Sequence, residues 1–394
     1  MKKWPARLYF TAPLLLLVLM LGGCWSSTEL NNRVFPTIMT IDLLEDGYLE
    51  VSFGIPLPNR MVPSQTGGQS KGGGEPFTFI SKKGKEIGQI LRDLQLDTTR
   101  DIYFGQTRVI VVGSRFAEKG MDPIIDLISR QPNFHISANL FVTEDSVEDI
   151  KKSPAVGERF ISTVLSKFID EHLTLNTTVK DLLMAKKRTG DILIPRLSFK
   201  EFQNSDVVNP DKHLWARPDG AALFKNGKMI ASRHLTYDEL RGALWITSQI
   251  DEAIASIKSP TDSKEITFRI SDIKTKIKPM FNNNQISFQV KSRGTAYIFS
   301  SNSNLDIKNS EMMIKLRETL NKDLARLMHQ TFQTTRHVKC DAFRFSDYLD
   351  WRYPKAWRQI QHQWDDYYAD QLKIEIDVDI TLNHTGPFYR STDR

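Results

Sequence analysis

The chain's two cysteines, Cys24 and Cys340, sit in different chemical surroundings. Cys24 follows an apolar run and two glycines, where an unhindered backbone can enter a peptidase site and the thiol can form a thioether. Cys340 is a lone thiol, which reads as a buried structural cysteine rather than a nucleophile. The eight histidines are scattered, with no HExxH, no CxxC and no pair at i, i+4 beside a carboxylate. There is no GxSxG elbow. Asp365-Asp366 has the composition of a paired-carboxylate site but reads as a solvated helix end. Gly72–Gly74 lacks the GxxxxGK[ST] spacing of a phosphate loop, so residues 64–76 read as a plain loop. No catalytic, cofactor-binding or metal-binding residue is assigned.

The segment before Cys24 explains that cysteine. Lys2, Lys3 and Arg7 form a positive start, and Leu8 to Leu21 is an apolar run of 14 residues. A spanning helix needs roughly 20, so residues 1–23 read as a signal peptide. Leu21-Gly22-Gly23-Cys24 resembles the lipobox of bacterial lipoproteins, with cleavage between Gly23 and Cys24. Cys24 would then carry S-diacylglyceryl and N-acyl groups. One acyl chain holds weakly and two hold firmly, at about 0.8 kcal/mol per buried CH₂.

Removing Lys2, Lys3 and Arg7 from the formal charge of +6 leaves +3 on the mature chain. So weak a field argues against a nucleic-acid partner. With 40% apolar and 25% charged residues over 394 positions, the body should be globular and of more than one domain. With Cys24 lipidated, no internal disulfide is available, and the body must be stable through burial alone.

The elements that would hold these residues read as α+β: several domains of mixed and antiparallel sheets flanked by helices. Strands are expected at 35–42, 48–57, 102–113 and 134–142, with a turn at Asp46-Gly47. Helices are expected near 84–95, 121–130 and 158–171. Ser146/Asp149, Thr178/Asp181 and Thr236/Glu239 are spaced as capping boxes. Residues 24–200 form an N-terminal region, divisible into two subdomains, and the polar stretch 201–219 reads as a linker. Residues 220–394 form a C-terminal domain with a hairpin turning at Asn226-Gly227 and long strands at 265–278 and 285–299. A helix near 306–333 and an alternating strand at 372–382 complete it.

The aromatic segment DYLDWRYPKAWRQIQHQWDDYY stands out near the C-terminus. Pro354 suits the first turn of a helix, which would set Trp357, Ile360, Gln361 and Trp364 along one side. These tryptophans either pack onto the C-terminal sheet or form an exposed docking face. On the second reading Trp357 and Trp364 are candidate contacts for a membrane partner or the lipid interface.

Taken together, these residues resemble the Ger(x)C lipoproteins, the C subunits of spore germinant receptors. Gly23-Cys24-Trp25 and Glu29-Leu30 match the family's mature start, with Ser26 where the family has Asp. Gly220–Phe224 (GAALF) and Glu239-Leu240-Arg241-Gly242 are similar to its central motifs. Tyr353-Pro354-Lys355, Trp357, Trp364 and residues 372–386 fit its C-terminal signature, although DAFRFSDYL (341–349) replaces a glycine-bearing stretch. The resemblance implies a non-enzymatic subunit without cofactor, anchored on the outer face of the spore inner membrane beside integral membrane A and B subunits. It also implies a role in the response to small germinants. A solute-binding lipoprotein of a transporter is the alternative, disfavoured by the unlike halves, and an envelope enzyme is a third reading.

Overall fold

The computed structural model describes residues 29–57, 76–155, 157–201, 214–282, 285–304 and 309–383. The expected signal peptide, cleavage site and lipidated Cys24 lie outside the described residues, as does nearly all of the expected loop at 64–76. The fold is α+β and multi-domain.

The strands, in chain order, are β1 (Arg33–Val34), β2 (Ile38–Leu43), β3 (Leu49–Pro56), β4 (Phe77–Gly84), β5 (Asp101–Ile102), β6 (Val109–Gly113) and β7 (Asn139–Thr143). They continue with β8 (Ile192–Glu201), β9 (Leu214–Lys225), β10 (Lys228–Leu235), β11 (Ala253–Lys258), β12 (Glu265–Asn282), β13 (Gln285–Ser301) and β14 (Lys373–Asn383). The helices are α1 (Ile87–Leu96), α2 (Ser114–Lys119), α3 (Asp122–Arg130), α4 (Asp149–Lys152), α5 (Ile161–Asp170) and α6 (Val179–Lys186). After them come α7 (Tyr237–Ile246), α8 (Ser310–His337), α9 (Phe345–Arg352) and α10 (Pro354–Ile360).

Eight strands form the first sheet, in the order β10-β9-β8-β7-β6-β2-β3-β4. Its centre is parallel and both flanks are antiparallel. Strand β6 shows why the centre must be covered on both sides. Its alternate residues go opposite ways: Ile110 and Val112 enter the core beneath α1, α3 and α6, while Val109 and Val111 enter the core beneath α5. The second sheet has the order β11-β12-β13-β14, with β14 parallel to β13. One face lies under α8, whose Met313, Leu316, Leu320, Leu324 and Met328 are all buried.

Several local expectations match. Asn226 and Gly227 have φ of 52° and 76°, the positive values a type I′ turn requires. Thr178 and Thr236 both make reciprocal capping boxes. Others are corrected. The run 102–113 is not one strand, because a 3₁₀ turn at Phe104–Gln106 interrupts it. The strand expected from 134 begins only at Asn139. Both departures have one cause: Phe104 and Phe134 stack at 4.6 Å between centroids, plugging the core from two loops. Ser146 does not cap α4 through a box; it accepts from the backbone of Glu148 at 3.2 Å.

The expected linker at 201–219 is partly strand. Residues 214–219 open β9, which pairs with β8 from Leu214 to Phe224. Thus β9 and β10 follow the polar stretch in sequence but complete the first sheet. Ala221 and Leu223 of β9 also join the core that fills the second sheet.

Candidate functional site

The aromatic segment closes over the junction between the two sheets. Helix α8 ends at His337 with Val338 as its C-cap, and a left-handed Lys339 (φ 52°) turns the chain into Cys340 and Asp341. Asp341 is 1% exposed. Its Oδ1 accepts from the N–H of Phe345, and its Oδ2 accepts from the N–H of Ser346, both at 2.8 Å. The indole N–H of Trp364 also donates to that Oδ2 at 2.9 Å. The backbone N–H of Asp341 donates in turn to Oδ2 of Asp191 at 2.8 Å. Asp191 is buried just ahead of β8, and its other oxygen accepts from Asn226 of the β9–β10 turn at 3.4 Å.

Two carboxylates, one from each half, are therefore tied through N–H donors. Burial pushes both up, Asp191 to about 7 and Asp341 to about 6, against the lowering effect of those donors. Cys340 is buried beside them, and its thiol donates to the carbonyl of Phe224 at 3.2 Å. Burial holds that thiol well above its ordinary range, so it packs as an inert small group. Tyr368 is likewise buried, its hydroxyl 2.7 Å from that of Thr335.

Around this core runs a ring of ion pairs. Lys225 meets Asp365 at 2.7 Å, and Lys339 meets Asp366 at 2.6 Å. Asp365-Asp366 is thus a partly exposed, lysine-paired surface group. Arg188 bridges Asp347 and Asp350 across the junction.

Trp364 is 2% exposed, which selects the packed alternative over the docking face: its indole is spent on Asp341. Trp357 is half-buried and meets Trp364 edge-on at 5.3 Å. Among the described residues the exposed tryptophan is Trp351, at 84%. Sequence reasoning passed over it, although the signal was there. Phe345 and Leu349 share the buried face of α9, and Trp351 lies about 200° round the helix from Leu349.

Trp351 borders a groove of about 450 Å³ floored by Leu175, Leu193, Ile277 and Phe343. Its polar lining is used by the fold: Gln249 Oε1 accepts from Asn176 at 2.7 Å, and Asp181 caps α6. A larger cleft of about 920 Å³ lies between α1 and α3, with a mixed-charge rim. Among the described residues no three His, Cys, Asp or Glu side chains converge as a metal site. The arrangement joins two halves.

The central motifs have structural roles. Gly220 (φ 91°) lies so close to the carbonyl of Leu235 that a Cβ would sit 2.0 Å from its oxygen. A Cβ on Gly242 would sit 2.1 Å from the hydroxyl of Thr331, so this glycine lets α7 cross α8 closely. Glu239 closes the cap of α7 and accepts from Thr334 of α8, and Arg241 donates to the carbonyl of Ile254.

Two family models match the chain. The spore germination protein N-terminal domain matches residues 26–199, and the spore germination B3/GerAC-like C-terminal domain matches residues 219–386. Spore germination protein KC of Bacillus subtilis (strain 168) is 23% identical over 95% of this chain and 94% of its own. Spore germination protein B3 of the same organism is 23% identical, over 92% and 95%. A crystal structure of the GerBC protein superposes with a TM-score of 0.57 at 17% identity, covering 87% of this chain and 96% of that one.

Proposed function

This chain belongs to the GerAC-like family of spore germination proteins, and from that membership we propose that it is the lipid-anchored C subunit of a germinant receptor. Its role is in spore germination. It acts without catalysis, from the outer face of the spore inner membrane, through contacts with integral membrane A and B subunits. The observation that carries this reading is the match of both family domains, in order, along almost the whole chain behind Cys24.

The physics supports it. Among the described residues no helix is long and apolar enough to cross a membrane. On this reading attachment is through the segment ending at Cys24. Acyl chains there would confine the body to a surface and raise its effective concentration near membrane partners, so weak contacts suffice. To affect germination, those contacts must favour one receptor state over another. A body whose halves share one core is suited to transmit such a bias.

The test combines Cys24→Ala with crosslinking in spore membranes. The variant is expected to leave the membrane fraction or keep its leader, and to lose the germinant response while spores still form. Crosslinks should identify the membrane subunits. Normal retention and response in the variant, in a strain lacking paralogues, would defeat the reading.

A further inference from the structure

Strand β12 pairs with β11 only as far as Ile270; past it the N–H groups of Ile273 and Thr275 donate to Asp251 and Ser248 of the α7–β11 loop, and among the described residues no strand covers this half of the edge. Along this half, Lys274, Lys276 and Lys278 project from the outer face of the sheet and are exposed. On the other side of the same edge lies α9: Ile277 and Trp351 line one groove, and the rings of Phe281 and Tyr353 are 6.0 Å apart. This brings the exposed Trp351, Arg352 and Lys355 to the same rim. Among the described residues, none of the five cations has an ion-pair partner, although other cations of this sheet do, Arg269 with Glu252 and Lys291 with Asp377.

The arrangement is electrostatically unfavourable in isolation. Lys274 stands opposite Arg293, and Lys276 opposite Lys291, two like-charge cross-strand pairs. Edge lysines keep sheets from pairing with one another, and that accounts for β12. It does not account for a tryptophan left 84% exposed beside them, which would itself promote association. Unpaired amines around a bare tryptophan are the composition of a membrane–water interface. On β12 itself the acids are Glu265 and Asp272, both ahead of the three lysines, while Glu375, Asp377 and Asp379 lie on β14 at the opposite edge. That is two strand spacings away, about 10 Å, beyond the Debye length of about 8 Å.

We infer that this rim rests on an anionic bilayer surface, with Trp351 in the interface and the amines against lipid phosphates. The inference rests on the proposed anchoring, since the tether is what holds the body within reach of lipid.

The test uses the lipidated full chain in vesicles of phosphatidylcholine alone and of phosphatidylcholine with phosphatidylglycerol. Flotation with the neutral vesicles reports the tether. Labelling by a water-soluble amine reagent, read by peptide mass spectrometry, reports the rim. The expected result is several-fold slower labelling of Lys274, Lys276, Lys278 and Lys355 on anionic vesicles, with Lys180 unchanged and the difference lost in high salt. Equal labelling on both vesicles, with flotation intact, would overturn the rim and leave the tether standing. If flotation on neutral vesicles fails, salt-sensitive sedimentation with anionic vesicles still reads the rim. The triple variant Lys274→Gln, Lys276→Gln, Lys278→Gln should then weaken binding roughly a hundredfold, at about 1 kcal/mol per lysine. No weakening in that variant, or protection that appears only when the membrane subunits are added, would also overturn it. The second outcome would assign the rim to an acidic protein surface.

Discussion

Among the described residues neither buried Asp191 nor buried Asp341 has an ion-pair partner; both are satisfied by backbone and indole N–H groups. Burial raises both above the ordinary 3.8, Asp191 to about 7. The folded chain therefore holds protons that the unfolded chain has released between those two values. Stability from this pair is greatest in acid, falls as pH rises through that window, and levels above it. The two acids are close enough to titrate as a unit, so the loss belongs to the pair. Urea unfolding of the wild type is expected to show stability declining from about pH 4 to pH 7 by an amount on the order of a few kcal/mol and changing little above that. Asp191→Asn keeps one acceptor for Asp341 and should flatten that decline. An equally steep decline in the variant would place its source elsewhere. None of this was legible in the sequence, where Asp341 is one acid among many. Trp364 was legible only as an aromatic with two readings; burial against Asp341 selects the first.

Elements with a complete local signal were legible. Thr178 and Thr236 carry an acid three residues on, and each makes its box; the alternation in β14 and the stripe on α8 likewise survive folding. Signals completed by a distant partner misled. The alternation in 102–113 fits a strand, yet Phe104 reaches Phe134 only if both segments turn. The α7–α8 crossing is a second such case. Leucine spacing predicts two helices but not how closely they approach, which Gly242 decides. Gly242→Ala places a Cβ 2.1 Å from Thr331 Oγ1 and 3.1 Å from the carbonyl of Leu327. Overpacking of this kind costs typically 1–3 kcal/mol, and thermal unfolding should show a lowered Tm. Thr331→Ala removes the first obstacle while giving up a hydrogen bond to the carbonyl of Glu239. The double variant should therefore lose less than the sum of the two single losses. Strict additivity would mean that the helices separate freely, and that the glycine is there for some other reason.

At the scale of the molecule, the sequence divides where the polar stretch lies, and the two family models divide there too. The hydrogen bonds do not. Strand β8 pairs with β9 across that stretch, and Leu193, Ala221, Leu223 and Leu235 of the first sheet share a core with Phe268, Phe288 and Trp364. Composition marks where a chain changes character; it does not say which sheet the next strand joins. A protease site inserted within 202–213 tests the consequence. Cutting there removes one covalent link but leaves the strand pairing, the shared core and the Asp191–Asp341 tie, so both pieces are expected to co-elute in native buffer. They should part only in denaturant, in one transition, because neither piece alone covers its share of the core. A nicked protein that falls into two independently melting pieces would mean that the boundary in sequence is also a boundary in free energy. The halves would then be free to move against each other, and a contact made by one could not be felt rigidly by the other.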